Sequence, residues 1–278
     1  MAMNRLFTAL IMLAAGLNIA LAQDVKREIT QVTDDVYRFQ NRFHVNMFVI
    51  TGDGVVVTDP INDAAASWLR AEIGKLTGQP ITDLIYSHSH GDHASGGSGY
   101  GEIANILAQQ NAPPAIDGVK PTIRFREQMS FTRGDKTFEL TYLGPGHGND
   151  LIAIVVRPDN VAFVVDAVSS KRLFYRDFPG ANLDDWIDQV RKIDTLEFEV
   201  MIGGHGPVGV KNDVSDGIAY LEELRAEVLQ GLNQGKTVDE LKRSVKMEKY
   251  RNWAAYDRWR ELNVQGMARY LTESDAVQ

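Results

Sequence analysis

Three of the six histidines in this sequence fall within six residues, in the run His88-Ser89-His90-Gly91-Asp92-His93. His88 and His90 are two apart at the end of an apolar run, so an extended backbone points both rings the same way. Asp92 and His93 follow beside a glycine and can face a second point. Neutral imidazole and carboxylate are ligands that zinc accepts when thiolate is missing. The run therefore predicts a metal site.

Three more candidate ligands lie beside glycine or at the end of an apolar run, namely His147, Asp166 and His205. Glycine lets the backbone approach a metal closely. Each residue alone would be read as an ordinary surface or core residue, but together they complete a set of five histidines and two aspartates. The predicted ligands are His88, His90, Asp92, His93, His147, Asp166 and His205. We interpret His44, in the first strands, as a pocket-rim or surface residue, with substrate contact as the alternative.

Composition excludes several other kinds of site. Lys and Arg total 29 against 37 Asp and Glu, which gives a net charge of −8. An acidic chain without a basic cluster is a poor nucleic-acid binder, because phosphate contacts dominate that affinity. The sequence contains no cysteine, which excludes disulfides, thiolate metal sites and a cysteine nucleophile. The expected partner is a small-molecule substrate, and the sequence does not indicate an oligomeric state.

Residues 1–22 have the pattern of a secretory signal peptide. A single charge at Arg5 precedes an apolar stretch that ends in Ala20-Leu21-Ala22, the small-x-small pattern of a cleavage site. The alternative is a retained membrane anchor, but the stretch is short for a span of roughly 20 apolar residues. No later segment is apolar enough to cross a membrane. We therefore expect a protein that is exported to the periplasm or secreted, without stable membrane insertion after cleavage.

The elements that would position the ligands alternate between strands and helices. Strands are predicted within 36–58, over 84–86, 121–131, 136–143, 151–156, 161–165 and 198–202, and helices after 62, around 101–110, after 182 and after 212. Strands interleaved with helices predict sheets covered by helices. We divide the chain into a signal peptide over 1–22, a catalytic domain over 23–210 and a packed C-terminal helical subdomain over 211–278.

The motif run, together with Gly146-His147, Asp166 and Gly204-His205-Gly206 in the same order, resembles the metallo-β-lactamase-fold superfamily. The resemblance covers roughly residues 30–210. It implies an α/β fold of four layers, an αββα sandwich, here with a C-terminal helical extension. It also implies a dinuclear centre in which His88, His90 and His147 bind one metal, Asp92, His93 and His205 bind the other, and Asp166 bridges both.

A bridging aspartate such as Asp166 is typical of the glyoxalase II-like thioesterases, lactonases, alkylsulfatases and phosphodiesterases of this fold, more than of its true β-lactamases. The resemblance implies two zinc ions, with iron or manganese as alternatives. Two zinc ions about 3.5–4 Å apart would share a hydroxide that attacks an ester, lactone or thioester. Asp92 would orient that hydroxide and later pass a proton to the leaving group.

The substrate side is less specified by the sequence. Arg172, Tyr175 and Arg176 follow Asp166 and could hold a substrate carboxylate, with a solvated charged loop as the alternative. Trp253 and Trp259 could line the mouth of the site, but their helical spacing favours a core role. Competing functions are a β-lactamase-like hydrolase, a mononuclear iron oxidoreductase of the same fold, and a metal- or partner-binding module without activity.

Overall fold

A computed structural model of the chain describes residues 25–274 and 276. The predicted signal peptide over 1–22 lies outside the described residues. Two β-sheets of seven and six strands form the centre of the described fold.

The first sheet follows the chain, so its spatial order equals its sequence order. Its first four strands are antiparallel neighbours and the last four are parallel neighbours. Every residue of the fourth strand is buried, as expected where both faces of a sheet are covered. The strands are β1 (Arg27–Gln31), β2 (Val36–Asn41), β3 (His44–Thr51), β4 (Gly54–Thr58), β5 (Ile81–Ile85), β6 (Asn105–Gln109) and β7 (Ile123–Phe125).

The second sheet runs in the reverse order, from the last strand of the chain to the first of this group. All its pairs are antiparallel except the pairing of the Val161 and Val200 strands. Its strands are β8 (Gln128–Arg133), β9 (Lys136–Tyr142), β10 (Ile152–Arg157), β11 (Val161–Val164), β12 (Val200–Gly203) and β13 (Gly209–Val210).

Helices cover the two sheets, and local sequence sets several of their ends. Asn62 accepts a hydrogen bond from the Ala65 amide and begins the first long helix, and Thr237 with Glu240 forms a capping box at the start of a later helix. The helices are α1 (Asp63–Leu76), α2 (Gly91–Ala94), α3 (Leu183–Asp194), α4 (Asn212–Asn233), α5 (Val238–Ser244) and α6 (Tyr256–Glu273).

The buried apolar residues form two clusters that correspond to the layers. The larger contains residues of both sheets and of α3, α4 and α6, such as Met47, Ile154 and Leu224. The smaller lies between the first sheet and α1, with Phe48 and Leu69 among its members. The predicted αββα sandwich with C-terminal helices is confirmed. None of the described helices is long and apolar enough to span a membrane.

One predicted element was wrong. The helix expected around 101–110 is strand β6, which pairs in parallel with β5 through Leu84 and Ile106. A short apolar run cannot be assigned to helix or strand by periodicity alone. Leu107 and Ala108 are both buried, but in different apolar clusters. That arrangement requires neighbouring side chains to point to opposite faces, which a strand provides and a helix does not.

Candidate metal centre

All seven predicted ligands lie at one edge of the paired sheets. His88 follows β5, Asp92 and His93 lie in α2, His147 lies in the loop after β9, and Asp166 and His205 follow β11 and β12. The strands run so that each of these loops leaves the same edge. Ligands far apart in sequence are thereby brought together, as is usual for sites at the carboxyl ends of strands.

The seven side chains form two groups that share one member. His88, His90, His147 and Asp166 make the first group, and Asp92, His93, His205 and Asp166 make the second. Within each group, one ligand atom from each residue lies within 4.8 Å of all the others. The division is the one that the superfamily resemblance implied, with Asp166 common to both groups.

The ring nitrogens in each group face one another. Nδ1 of His90 lies 3.0 Å from Nε2 of His147, and Nε2 of His93 lies 3.4 Å from Nε2 of His205. Both carboxylate oxygens of Asp166 point into the cluster, Oδ2 at 3.3 Å from His147 and Oδ1 at 3.2 Å from His205. Lone pairs that converge in this way require a shared proton or a cation between them.

Two buried atoms show that the cluster fits metal ions. Nε2 of His88 and Oδ1 of Asp166 have no hydrogen-bond partner among the described residues. An unpaired buried polar atom costs free energy, and a metal ion would satisfy both. The donors are imidazole nitrogen and carboxylate oxygen, which suit zinc and also manganese or iron.

The electrostatics of the cluster lead to the same conclusion. Burial raises the pKa of Asp166, but the charge of His93 and the contacts from His147 and His205 outweigh it and hold the pKa well below its ordinary value. Burial lowers the pKa of His93, yet Asp166, Asp59 and Asp92 outweigh it and raise the pKa. The surrounding carboxylates therefore favour a positive charge at this position, which a bound metal cation would supply.

Backbone conformation brings the ligands within reach of each other. Asp166 adopts a left-handed conformation with φ of 60°, which Asp tolerates better than most residues and which is common at functional sites. At Gly204, a Cβ atom would lie 2.6 Å from Val165 and 2.8 Å from the ring of His93. Only glycine lets the end of β12 pack this closely against the cluster.

A buried polar chain orients His88. The carboxylate of Asp59 accepts from the Ser87 amide at 2.8 Å and from the Ser87 hydroxyl at 2.6 Å, and the hydroxyl lies 2.9 Å from Nδ1 of His88. This leaves Nε2 of His88 to face Asp166. Burial raises the pKa of Asp59 to about 6. Partners of this kind fix the ring and tautomer of a ligating histidine.

Helix α3 supports the loop that carries His147. Gln189 is fully buried; it accepts from the His147 amide at 2.7 Å and donates to the Gly144 carbonyl at 2.6 Å. The Trp186 ring packs edge-on against His147, and its Nε1 donates to the Ala167 carbonyl. The sequence placed Trp186 on a capped helix but carried no signal that α3 would reach this loop.

His44 lies at the mouth of the cluster, consistent with its interpretation as a rim residue. Its Nε2 is 3.5 Å from Oδ2 of Asp92, and its ring centre is 5.1 Å from that of His205. The contact with His44 is the main cause that lowers the pKa of Asp92. The preceding carbonyl, of Phe43, is 2.7 Å from Nδ1 of His205, so this hairpin also orients a predicted ligand.

The remaining predicted substrate residues are not members of either ligand group. Arg172 and Tyr175 both pack against the ring of Trp259, and Arg176 lies over the ring of Tyr175. Trp259 is buried, as its helical spacing predicted, with 7% of its surface exposed. Whether these residues touch substrate stays a prediction.

Comparison with known proteins agrees with the geometry. A sequence model of the metallo-β-lactamase superfamily matches residues 41–205, which contain every predicted ligand. The chain belongs to this superfamily. Members of this superfamily are metal-dependent hydrolases, and both ligand groups of this chain lie within the matched region.

Individual relatives are distant and differ in activity. The chain is 26% identical to the 2,4-dinitroanisole O-demethylase subunit alpha of Nocardioides sp. (strain JS1661), over 66% of this chain and 56% of that protein. It is 25% identical to the metallo-β-lactamase type 2 of Elizabethkingia meningoseptica, over 68% of this chain and 83% of that one. A metallo-β-lactamase structure from Pontibacter korlensis shares the fold, with a TM-score of 0.63, 18% identity and coverage of 71% and 99%.

Proposed function

We propose that this protein is an exported, dinuclear zinc-dependent hydrolase of an ester, lactone or thioester. The observation that carries the proposal is the sharing of Asp166 between two ligand groups. With a single metal ion, the nitrogen and oxygen atoms of one ligand group would face one another without a cation between them. This argues against the mononuclear iron alternative. No described ligand position is replaced by a residue that cannot bind metal, which argues against a module without activity.

When bound, the metal ions would polarise the scissile bond and make water a nucleophile near neutral pH. His88, His90 and His147 would hold one ion, Asp92, His93 and His205 the other, and Asp166 would bind both. Their mutual approach is fixed by the polar chain from Asp59 and by the supporting contacts of α3, so little reorganisation accompanies binding.

Asp92 is the residue suited to handle a proton. Its carboxylate is about half exposed, whereas the side chain of Asp166 is buried. Oδ2 of Asp92 lies within 3.7 Å of His93 on one side and 3.5 Å of His44 on the other. This carboxylate can accept a hydrogen bond and then the proton from the attacking water, and it can later give that proton to the leaving group. His44 would orient the carboxylate.

Two relatives define the alternatives that should be tested with the main proposal. Similarity to the β-lactamase of Elizabethkingia meningoseptica across 83% of its length supports β-lactam hydrolysis as a second activity. Similarity to the 2,4-dinitroanisole O-demethylase subunit supports including that aryl ether as a substrate.

The test is proton release by the zinc-loaded protein in a pH-stat. The panel contains an aliphatic lactone, an acyl thioester, a phenyl ester, a cephalosporin and 2,4-dinitroanisole, each with and without chelator. Metal content is measured on the same samples. We expect two zinc ions per chain and chelator-sensitive turnover of the lactone, thioester or ester.

A matched pair of variants makes the test specific. Asp92→Asn should abolish turnover, whereas Asp188→Asn changes an exposed aspartate on α3 that pairs with Arg191 and should not. One iron per chain, or turnover that survives in a folded Asp92→Asn protein, would contradict the proposal. Export is tested separately: N-terminal sequencing of protein from the native host should begin at Gln23.

A further inference from the structure

The geometry points to an oxyanion-binding subsite formed by Arg172, Arg258 and Trp259, which would select substrates that carry a carboxylate or sulfate group. The inference rests on the proposed hydrolase function and names the substrate class for the same site. It also assigns a role to helix α6, which contributes Arg258 and Trp259 from outside the region matched by the superfamily.

Two guanidinium groups share one aromatic ring. The Arg172 guanidinium carbon lies 4.7 Å from the centre of the Trp259 ring, and that of Arg258 lies 4.9 Å from it. Guanidinium groups stack favourably on indole. The ring therefore holds two cations close to each other, where their like charges repel.

No carboxylate neutralises this pair. Within residues 25–274 and 276, neither guanidinium forms an ion pair or a side-chain hydrogen bond. Other arginines of this acidic chain do so, including Arg133 with Asp83 and Arg269 with Asp177. Arg172 is a partly buried cation without a partner, which is costly, and the like charge of Arg258 at the same ring adds to that cost. An anion that binds these guanidinium groups would reduce that cost.

Arg172 is linked to the metal centre by electrostatics and by packing. Burial lowers the pKa of Arg172, the charge of Arg258 lowers it further, and Asp166 acts in the opposite direction. Asp166 is the ligand shared by both groups, so Arg172 lies within its electrostatic reach. Phe174, two residues after Arg172, packs against Trp186, and Trp186 contacts His147. An anion bound to this pair would thus belong to a substrate whose scissile bond is held at the metals.

Helix α6 also fixes the loop that carries Arg172. The buried Asn263 side chain donates to the Phe174 carbonyl at 3.0 Å and to the Arg176 carbonyl. The backbone at Arg172 pairs with Ala254 in an isolated bridge. At Gly266, a Cβ atom would lie 2.2 Å from the Asp177 carbonyl oxygen. The subsite is therefore held in place before any ligand arrives.

Exposure allows a ligand to reach the pair. Arg258 is exposed and Arg172 is half-buried, whereas Trp259 is covered. Tyr175, with 48% of its surface exposed, packs edge-on against Trp259 at 5.3 Å between ring centres. A ligand from solvent can therefore reach the two guanidinium groups and the Tyr175 ring, while the covered Trp259 ring holds them in place. Such a surface suits an oxyanion attached to an apolar group.

Binding is tested first, because it does not require turnover. Benzoate, benzenesulfonate and benzamide are titrated by calorimetry into the zinc-loaded full chain and into the Arg258→Gln, Arg258→Lys, Arg172→Gln and Arg251→Gln variants. Arg251 is an exposed control that pairs with Glu248 in the same subdomain. We expect Arg172→Gln and Arg258→Gln to bind benzoate, benzenesulfonate or both about tenfold more weakly than the wild type. The affinity of Arg258→Lys should lie between those of the wild type and Arg258→Gln, and the Arg251→Gln control should match the wild type.

Turnover is tested with 4-acetoxybenzoate, 4-acetoxybenzenesulfonate and the neutral 4-acetoxybenzamide. The ratio of kcat/KM for anionic to neutral ester should fall about tenfold in Arg258→Gln, mainly through KM. The carboxylate and sulfonate arms show which oxyanion is preferred. If neither these esters nor the lactone, thioester and phenyl ester of the first panel are cleaved, but anion binding depends on Arg258, the hydrolase proposal fails and the subsite stands. Equal anion affinity in wild type and both glutamine variants, with each protein folded by circular dichroism, would overturn the subsite.

Discussion

The two ends of the second sheet are both rich in charge, and they use it differently. At one end, β9 begins with Lys136, whose ammonium lies 2.8 Å from Asp35 and 2.9 Å from Asp159. At the other end, the loop after β9 and the end of β11 supply His147 and Asp166. Lys136 and Asp166 are both nearly covered, with side-chain exposures of 6% and 10%.

The difference lies in whether the charges are already satisfied. Lys136 donates to Asp159, and Asp159 also accepts from the Thr33 hydroxyl, so that end is complete within the chain. At the other end, His88 and Asp166 keep buried atoms without hydrogen-bond partners among the described residues. A paired cluster stabilises the fold, whereas an unpaired one shows that something outside the chain completes it.

Replacing Asp166 with asparagine should give the largest effect. Asparagine keeps the shape and tolerates the left-handed backbone, but it removes the charge that both ligand groups share. We expect metal content to fall below two per chain and kcat/KM to fall about 10³-fold or more. Elemental analysis and steady-state kinetics measure both. If the variant keeps two metal ions and its activity, the charge of Asp166 is not needed to bind metal, and the two ends of the sheet do not differ in their use of charge.

Replacing Lys136 with methionine should lower the stability of the fold at the opposite end of the sheet without affecting the metal ligands. It leaves Asp159 buried without its cation, so we expect a loss of about 3 kcal/mol in the free energy of unfolding, measured by urea denaturation. Metal content and turnover should stay unchanged. The control is Lys75→Met, at an exposed pair with Glu72, which should cost less than about 1 kcal/mol. Equal losses in the two variants would show that the buried network does not stabilise the fold.

Replacing Ser87 with alanine should have an intermediate effect at the metal end. The change removes the hydroxyl that joins Asp59 to His88, so we expect zinc affinity to weaken about 10- to 100-fold. Competition with a chromophoric chelator measures this. Ser98→Ala, at an exposed serine in the turn after α2, is the control. If affinity is unchanged, the orientation of His88 does not depend on this chain of hydrogen bonds.

The sequence was informative wherever the chemistry was local. The run from His88 to His93 is a continuous motif, and the other three ligands each follow a strand beside glycine or an apolar run, so their convergence could be predicted. The layered fold followed from alternating elements. The strand at 105–109 was misread because it is short, apolar and buried on both faces, which removes the alternation that distinguishes a strand.

The supporting contacts could not be predicted, because they join segments distant in sequence. Ser87 depends on Asp59 and His147 on Gln189, and no pattern links these positions. The same holds for Arg172 and Arg258, whose common feature is the ring between them. Sequence spacing indicates which atoms could bind a metal, but the polar chains that hold those atoms exist only after folding.

The smallest predicted effect concerns pH and the Lys136 end. Burial raises the pKa of Asp159, but hydrogen bonds from Thr33 and Lys136 outweigh it, so the pKa lies below the model-compound value of 3.8. The charged form is therefore stabilising above that value, and the contribution is lost as pH falls through the folded-state pKa.

Asp159→Asn should then lower the free energy of unfolding at pH 7 by on the order of 1 kcal/mol. The difference from wild type should narrow as pH falls from 3.8 towards pH 3, because the Asp159 carboxylate of the unfolded wild-type chain takes up a proton before that of the folded protein. Denaturation of chelator-treated protein at both pH values measures this without interference from zinc release. A difference that stays constant would mean that Asp159 acts through shape and not through charge. In that case the charge of the buried residues would matter only at the end of the sheet that carries the metal ligands, and the network around Lys136 would stabilise the fold by packing alone.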